Sequence, residues 1–210
     1  MNTERVVQTI IYSAVLIWTI ALLVEHASIT SALLKPVSIV TTVVVWLAGA
    51  FDVWLWKWPI FQGWLVKRPA IDGTWRIILD SNWIDPQTGS PAGEFEGFMV
   101  VRQTLTTLSM RQLTKESRSV MLGTELTCTP DGVYCVGGVY RNEPNFKNRE
   151  RSPIHYGGIW VEISGDRSKS LLSGHYWTDR KTGGTLSMSD RHHQKFHSFE
   201  AAQRGMSPMR

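Results

Sequence analysis

The sequence predicts an N-terminal two-helix transmembrane hairpin followed by an all-β antiparallel domain, an up-and-down barrel of about eight strands. Three observations carry this prediction. Charges are few from Val6 to Trp64, where six of the ten tryptophans gather. From Ile71 onward, short runs of alternating apolar and polar residues are divided by turn residues. No segment there sustains a 3.6-residue apolar period.

The stretch VVQTIIYSAVLIWTIALLV, Val6–Val24, carries no charge. Its nineteen residues would reach about 29 Å as a helix, close to the hydrocarbon thickness of a bilayer. A secretory signal would have a shorter apolar core and a small-residue cleavage site. Here a second apolar run follows, VSIVTTVVVWLAGAFDVWLW, Val37–Trp56, with Pro36 suited to a helix start. Arg5 precedes the first span and Lys57, Lys67 and Arg68 follow the second, whereas the connecting loop offers Lys35 alone. Positive charge therefore places both termini in the cytoplasm, and Trp54, Trp56, Trp58 and Trp64 suit an interfacial belt. Asp52 stands near that belt. It reads as an interfacial, snorkelling side chain, or as a polar contact between hairpins or a pore-facing group, because a carboxylate at mid-bilayer costs about 2.5–3.5 kcal/mol.

The expected division is residues 1–66 for the hairpin, 67–190 for a cytosolic barrel and 191–210 for a loose polar tail. Candidate strands are Gly73–Asp80, Glu94–Thr104, Leu105–Gln112, Arg118–Thr127, Gly132–Asn142, Ile154–Ile163, Lys169–Thr178 and Thr185–Asp190. Dividers such as TPDG and KTGG hold the residues that tight turns require, with the glycines free to take positive φ. Consecutive strands with short turns pair antiparallel, and closure removes exposed sheet edges. A sandwich satisfies the same pattern. Trp75, Ile77 and Leu79 alternate inward, as do Val120, Leu122, Thr124 and Leu126, and the run from His155 to Ile163 does so less regularly.

Several function classes find no support. The segment Ala70–Arg210 holds 17 Lys and Arg against 15 Asp and Glu. That is not the concentrated basic face of a nucleic-acid binder. Walker, G-x-S-x-G, His-Glu-x-x-His and Cys-x-x-Cys signatures are absent, so no enzyme and no metal centre is expected. Cys128 and Cys135 flank a turn without forming a disulfide framework. His193 and His197 read as solvated tail residues rather than ligands.

Binding is better supported. In GHYWTDRKTGG, residues 174–184, Tyr176, Thr178 and Arg180 share one strand face while His175 and Trp177 share the other. A guanidinium beside aromatic faces suits an anionic ligand with planar groups. Lipocalin-type barrels instead use a Gly-x-Trp on the first strand and a late Arg as a structural latch. DGTWR (72–76) supplies those parts, with Trp75 beneath the arginine. The residues leave latch and ligand contact equally open for Arg180. An apolar-ligand carrier and a barrel interaction module also remain as functional alternatives.

The cytoplasmic N-terminus, the two spans, the DGTW entry and the late YWTDRKTGG hairpin together resemble one family over all but the tail. It is the two-transmembrane, β-strand-rich effectors of CBASS, the bacterial cyclic-oligonucleotide-based anti-phage signalling system. The resemblance implies a minimal β-barrel receptor for a cyclic dinucleotide made by a partner cyclic nucleotide synthase. It also implies homo-oligomerisation in the inner membrane, disruption of the lipid bilayer and abortive-infection cell death. No cofactor is implied beyond the activating ligand. For such a ligand Arg180 and Arg102 would meet phosphate, Tyr176, Tyr140, Tyr156 or Trp160 would stack on bases, and Thr178 would hydrogen-bond. Trp75 completes the candidate set.

Overall fold

The computed structural model describes residues 12–13, 15–17, 19–20, 34–164 and 171–206. They form two compact units: residues up to Arg68 together with Thr104–Thr106, and Pro69–Gln103 together with Thr107–Arg210.

In the first unit helix α1, Leu34–Val53, leads into a 3-10 turn at Leu55–Lys57. The second apolar run therefore ceases to be α-helical at Val53 rather than Trp56. Trp56 is buried, which removes it from the expected aromatic belt, whereas Trp54, Trp58 and Trp64 are exposed. Most of Val6–Val24 lies outside the described residues, and its described positions are helical. Among the described residues no helix is long and apolar enough to cross a membrane. The Asp52 carboxylate accepts hydrogen bonds from the Thr106 backbone N–H (2.9 Å) and hydroxyl (2.8 Å). Its backbone carbonyl accepts from Leu105 N–H at 2.9 Å, and Arg68 donates to the Leu105 carbonyl. The acidic side chain is thus engaged by a short segment of its own unit.

The second unit is a closed, wholly antiparallel barrel of eight strands in sequence order. Its strands are β1 Gly73–Ile84, β2 Pro91–Gln103, β3 Leu108–Leu113, β4 Ser117–Cys128, β5 Tyr134–Pro144, β6 His155–Ser164, β7 Leu171–Thr178 and β8 Gly183–His192. All eight expected strands form, and closure by β1–β8 pairing excludes the sandwich. Residues 165–170, between β6 and β7, lie outside the described residues and include the start of the Lys169–Thr178 candidate.

One end of the barrel is solid. Trp75, Ile77, Met99, Val101, Met110, Val136, Ile159, Val161, Leu172, Leu186 and Met188 pack as one buried cluster. Full burial of each such side chain contributes about 1.5–3 kcal/mol. The inward run expected on β4 is half corrected. A register shift between Met121 and Gly123 puts two residues out of step, so Leu122 is 62 % exposed while Ser119 is buried. The KTGG turn is also corrected. Lys181 takes the left-handed conformation (φ 60°), and Gly183 and Gly184 already belong to β8. Gly184 is needed for close approach, because a Cβ there would collide with the Asp80 carbonyl and press on the Tyr176 ring.

The expected loose tail is folded over its described residues, 191–206. Phe98-Met99-Val100-Val101 is apolar on both faces because both are covered. Met99 and Val101 enter the barrel, while Phe98 and Val100 join Leu113, Phe196 and Ala202 in a second core outside it. Helix α2, Phe199–Met206, supplies that cover. Thr74 ties the segment down, its hydroxyl donating to the Gln194 carbonyl (2.7 Å) and accepting from Phe196 N–H (3.3 Å). Arg76 donates to the Met206 carbonyl at 2.9 Å.

The latch exists, but its arginine is Arg191. The Arg191 guanidinium lies 5.7 Å from the Trp75 ring centre and donates to the Ala70 and Asp72 carbonyls, each at 2.8 Å. It also pairs with the Asp72 carboxylate at 3.2 Å. Arg180 sits beyond the end of β7, at the opposite end of the barrel. Arg191→Ala is therefore expected to destabilise the barrel by about 1.5–3 kcal/mol through its charged hydrogen bonds, whereas Arg180→Ala leaves the urea midpoint nearly unchanged. Phe196→Ala should cost about 3–5 kcal/mol in the same denaturation experiment, as truncation of a buried aromatic does.

Candidate functional site

The other end of the barrel is hollow, and its walls mix polar side chains with apolar and aromatic ones. It holds a cavity of about 540 Å³, within the range of small-ligand sites. Its inner rim is made by the strand ends that lie farthest from Trp75. Cross-strand pairing puts Gln112 opposite Ser119, Ser119 opposite Asn142, and Asn142 opposite His155. All four line the cavity, forming a polar belt across β3, β4, β5 and β6. One layer deeper lie Tyr140 and, from β7, Tyr176. Gly157 makes room for the first, since a Cβ there would stand 2.5 Å from the Tyr140 hydroxyl.

Arg180 closes the belt. It donates to the Ser152 hydroxyl (3.2 Å) and, through Nη2, to His155 Nε2 (3.4 Å). His155 Nδ1 lies 3.0 Å from the Pro153 carbonyl. A carbonyl can only accept, so Nδ1 carries the proton, and Nε2 is left as acceptor of a neutral imidazole. Burial lowers the imidazole below its usual range, and the Arg180 charge adds to this against the Pro153 hydrogen bond. Burial likewise lowers the Arg180 guanidinium, with Asp179 and Tyr140 opposing. Burial raises both the Tyr140 and Tyr176 phenols. Arg180 Nε and Asn148 Nδ2 are buried without a hydrogen-bond partner among the described residues, and both residues line the cavity. Orphaned buried donors of this kind are costly unless an acceptor meets them.

A second cation guards the mouth. Arg151 donates to Asp85 (2.8 Å) and Glu116 (2.6 Å) and lies 5.8 Å from the Trp83 ring centre. The Asp85 carboxyl is held low first by the Gln87 backbone N–H and then by Arg151. Two carboxylates thus occupy Arg151, whereas Arg180 faces uncharged partners. Of these two arginines, Arg180 is the more available to an anion.

Of the eight ligand-binding candidates, the structure brings together Tyr140, Tyr176, Thr178 and Arg180 on the cavity wall. The other four lie elsewhere. Trp75 is buried at the solid end and donates its indole N–H to the Ile71 carbonyl at 2.8 Å. Arg102 and Tyr156 are exposed on the outer surface, and Trp160 borders an outer groove with Glu162 and His175. Side-chain alternation explains the division, since Arg102 and Tyr156 are one residue out of step with Val101 and His155. Sequence reasoning missed Ser119, Asn142, Asn148, Arg151 and His155. Only His155 carried a signal, as the first member of the inward run to Ile163.

The lowered imidazole has a defined consequence. The unfolded chain binds a proton at His155 more readily than the folded one. Folding stability should therefore fall as pH drops through about 6.5 and level off below the folded-state value. In His155→Gln that part of the pH dependence should vanish from thermal melts taken between pH 5 and 8.

No curated protein matches the chain. Residues 66–190 match the family model described as Cap15, cyclic dinucleotide receptor domain, a span that holds every strand of the barrel except the last two residues of β8. With more than half of its length covered by that match, the chain belongs to the Cap15 cyclic dinucleotide receptor family.

Proposed function

We propose that the polar end of the barrel is where a cyclic dinucleotide binds. The observation that carries this reading is the meeting of Arg180, Tyr140, Tyr176 and Thr178 on one cavity wall, beside two buried donors that want an acceptor. A phosphate oxygen supplies such an acceptor and pairs with the guanidinium. The tyrosine rings offer faces for base stacking, and the Thr178 hydroxyl offers a hydrogen bond. The lipocalin-like carrier would require aliphatic walls throughout, whereas this mouth sets serines, Asn142, His155 and arginines among its apolar and aromatic side chains. Nothing in this account requires catalysis by the barrel. The ligand acts by being bound.

The wider reading is that of a membrane-anchored CBASS effector. It is supported by two apolar N-terminal runs whose sole charge is Asp52 and by Val45, Trp46 and Leu47, which are 64 %, 75 % and 50 % exposed on α1. A helix that turns large apolar side chains outward without protein cover is suited to lipid. In this proposal both termini face the cytoplasm of a bacterial inner membrane. Ligand binding favours an associated state of several copies, and the clustered spans disrupt the bilayer and kill the infected cell. The ligand can drive this only through tighter binding to the assembled state than to the single chain.

Calorimetric titration of the protein with cyclic dinucleotides tests the site directly. Arg180→Ala and Tyr176→Ala should each weaken binding by about fivefold or more, in line with about 1–3 kcal/mol for a charged contact or a stacked base. Affinity unchanged in both variants would remove the cavity from consideration. In liposomes, ligand should raise the oligomer size seen by chemical cross-linking together with dye leakage, and leakage without ligand dependence would refute the effector mechanism.

A further inference from the structure

The polar belt contains a hydrogen-bond network whose protons can be assigned. Asn142 Nδ2 lies 3.1 Å from Ser117 Oγ and 2.8 Å from Ser119 Oγ. Thr114 Oγ1 lies 3.0 Å from the Ser117 carbonyl, 3.1 Å from Ser117 Oγ and 3.0 Å from the Ser117 backbone nitrogen. Each hydroxyl has one proton and two lone pairs. The Ser117 carbonyl can only accept, so the Thr114 proton goes there. Thr114 then accepts from the Ser117 N–H and from the Ser117 hydroxyl, which uses the Ser117 proton. Ser117 Oγ is left as an acceptor, so the group of Asn142 that faces it must be the NH₂ and not the carbonyl oxygen. The amide orientation follows from its neighbours.

Both amide protons of Asn142 are then spent, one on each serine. Two capacities are left over on residues that line the cavity. The Asn142 Oδ1 acceptor and the Ser119 hydroxyl proton have no partner among the described residues. Asn142 and Ser119 are 8 % and 4 % exposed and face each other across the β4–β5 pairing. Rigid, desolvated polar pairs of this kind discriminate strongly, because a ligand that leaves one of them unmatched bears its desolvation cost.

We propose that Asn142 and Ser119 read the edge of one base of the ligand, accepting its ring or exocyclic N–H at Oδ1 and donating to the adjacent carbonyl or ring nitrogen from the hydroxyl. This rests on the reading of the cavity as a cyclic dinucleotide site and adds the residues that choose among bases. The pair is built to recognise an N–H next to an acceptor, the arrangement on the Watson–Crick edge of a nucleobase. Thr114 and Ser117 are positioning residues that hold the amide in the required orientation. Arg180, in contrast, meets the phosphate that every such ligand shares.

The full-length protein in detergent, titrated with cyclic di-UMP, cyclic di-AMP and cyclic di-GMP, separates these roles. The unaltered protein should rank the three over at least tenfold. Asn142→Ala and Ser119→Ala should compress that ranking, while Arg180→Ala lowers all three affinities by a common factor. For the tightest of the three, a methyl group on the Watson–Crick ring nitrogen (N3 of a pyrimidine, N1 of a purine) should weaken binding by about tenfold or more. The penalty should shrink in Asn142→Ala where that nitrogen carries a proton (uracil, guanine) and in Ser119→Ala where it is an acceptor (adenine). A ranking and a methyl penalty that survive in both variants would overturn this inference alone. Failure of the unaltered protein to bind any of the three would overturn the cavity reading and this inference with it.

Discussion

Pairing of the first strand with the last is the constraint from which the rest of the barrel follows. Once Ile77 faces Met188 and Ser81 faces Gly184 across the β1–β8 seam, every strand acquires an inside and an outside, and alternation assigns each side chain to one of them. The seam tolerates little bulk. Gly184 lies against the Asp80 backbone where no Cβ could fit. At the solid end the seam is reinforced by Arg191, which spans from β8 to the Ala70 and Asp72 carbonyls while covering Trp75.

Closure alone would give a barrel filled from end to end. The two ends differ because inward residues change character along the strands. Toward Trp75 they are mostly large and apolar and pack as one buried cluster, whereas toward Arg180 small or polar residues such as Ser117, Ser119, Asn142, His155 and Thr178 come in among aromatic ones. Small inward residues leave volume, and polar ones make that volume tolerable only if their hydrogen bonds are met. The Thr114–Ser117–Ser119–Asn142 network and the Arg180–His155–Pro153 chain meet most of them within the protein. What they leave unmet defines the chemistry the cavity can offer a guest.

Outer faces carry their own division of labour. β2 is apolar on both sides because the carboxy-terminal segment covers its exterior, so the barrel has a second, smaller core outside the sheet. This cover lies beyond the part of the chain shared with the receptor family, which ends at residue 190. The cavity and the support of the β1–β3 wall thus draw on largely different regions of the same small domain, with Phe199 common to both.

The existence, order and number of the strands were already determined by the sequence, because turn chemistry and period-two alternation are local properties of neighbouring residues. So was the shared face of Tyr176 and Thr178, since residues two apart on a strand point the same way whatever the fold, whereas Arg180 lies in the turn beyond β7 and reaches the same cavity wall from there. The tertiary structure alone decided which arginine is the latch and which lines the cavity. Arg180 and Arg191 are both late in the chain, and only the direction in which β7 and β8 run sends them to opposite ends. It also decided the inward set on β4, where one shift of register between Met121 and Gly123 exchanges inside and outside, and the fate of the tail, whose weak period conceals Phe196 and Ala202. Ser119, Asn142 and His155 lie far apart along the chain and carry no motif. They become a site because strand pairing sets them side by side, and pairing between distant segments is a property of the closed barrel rather than of any stretch of sequence.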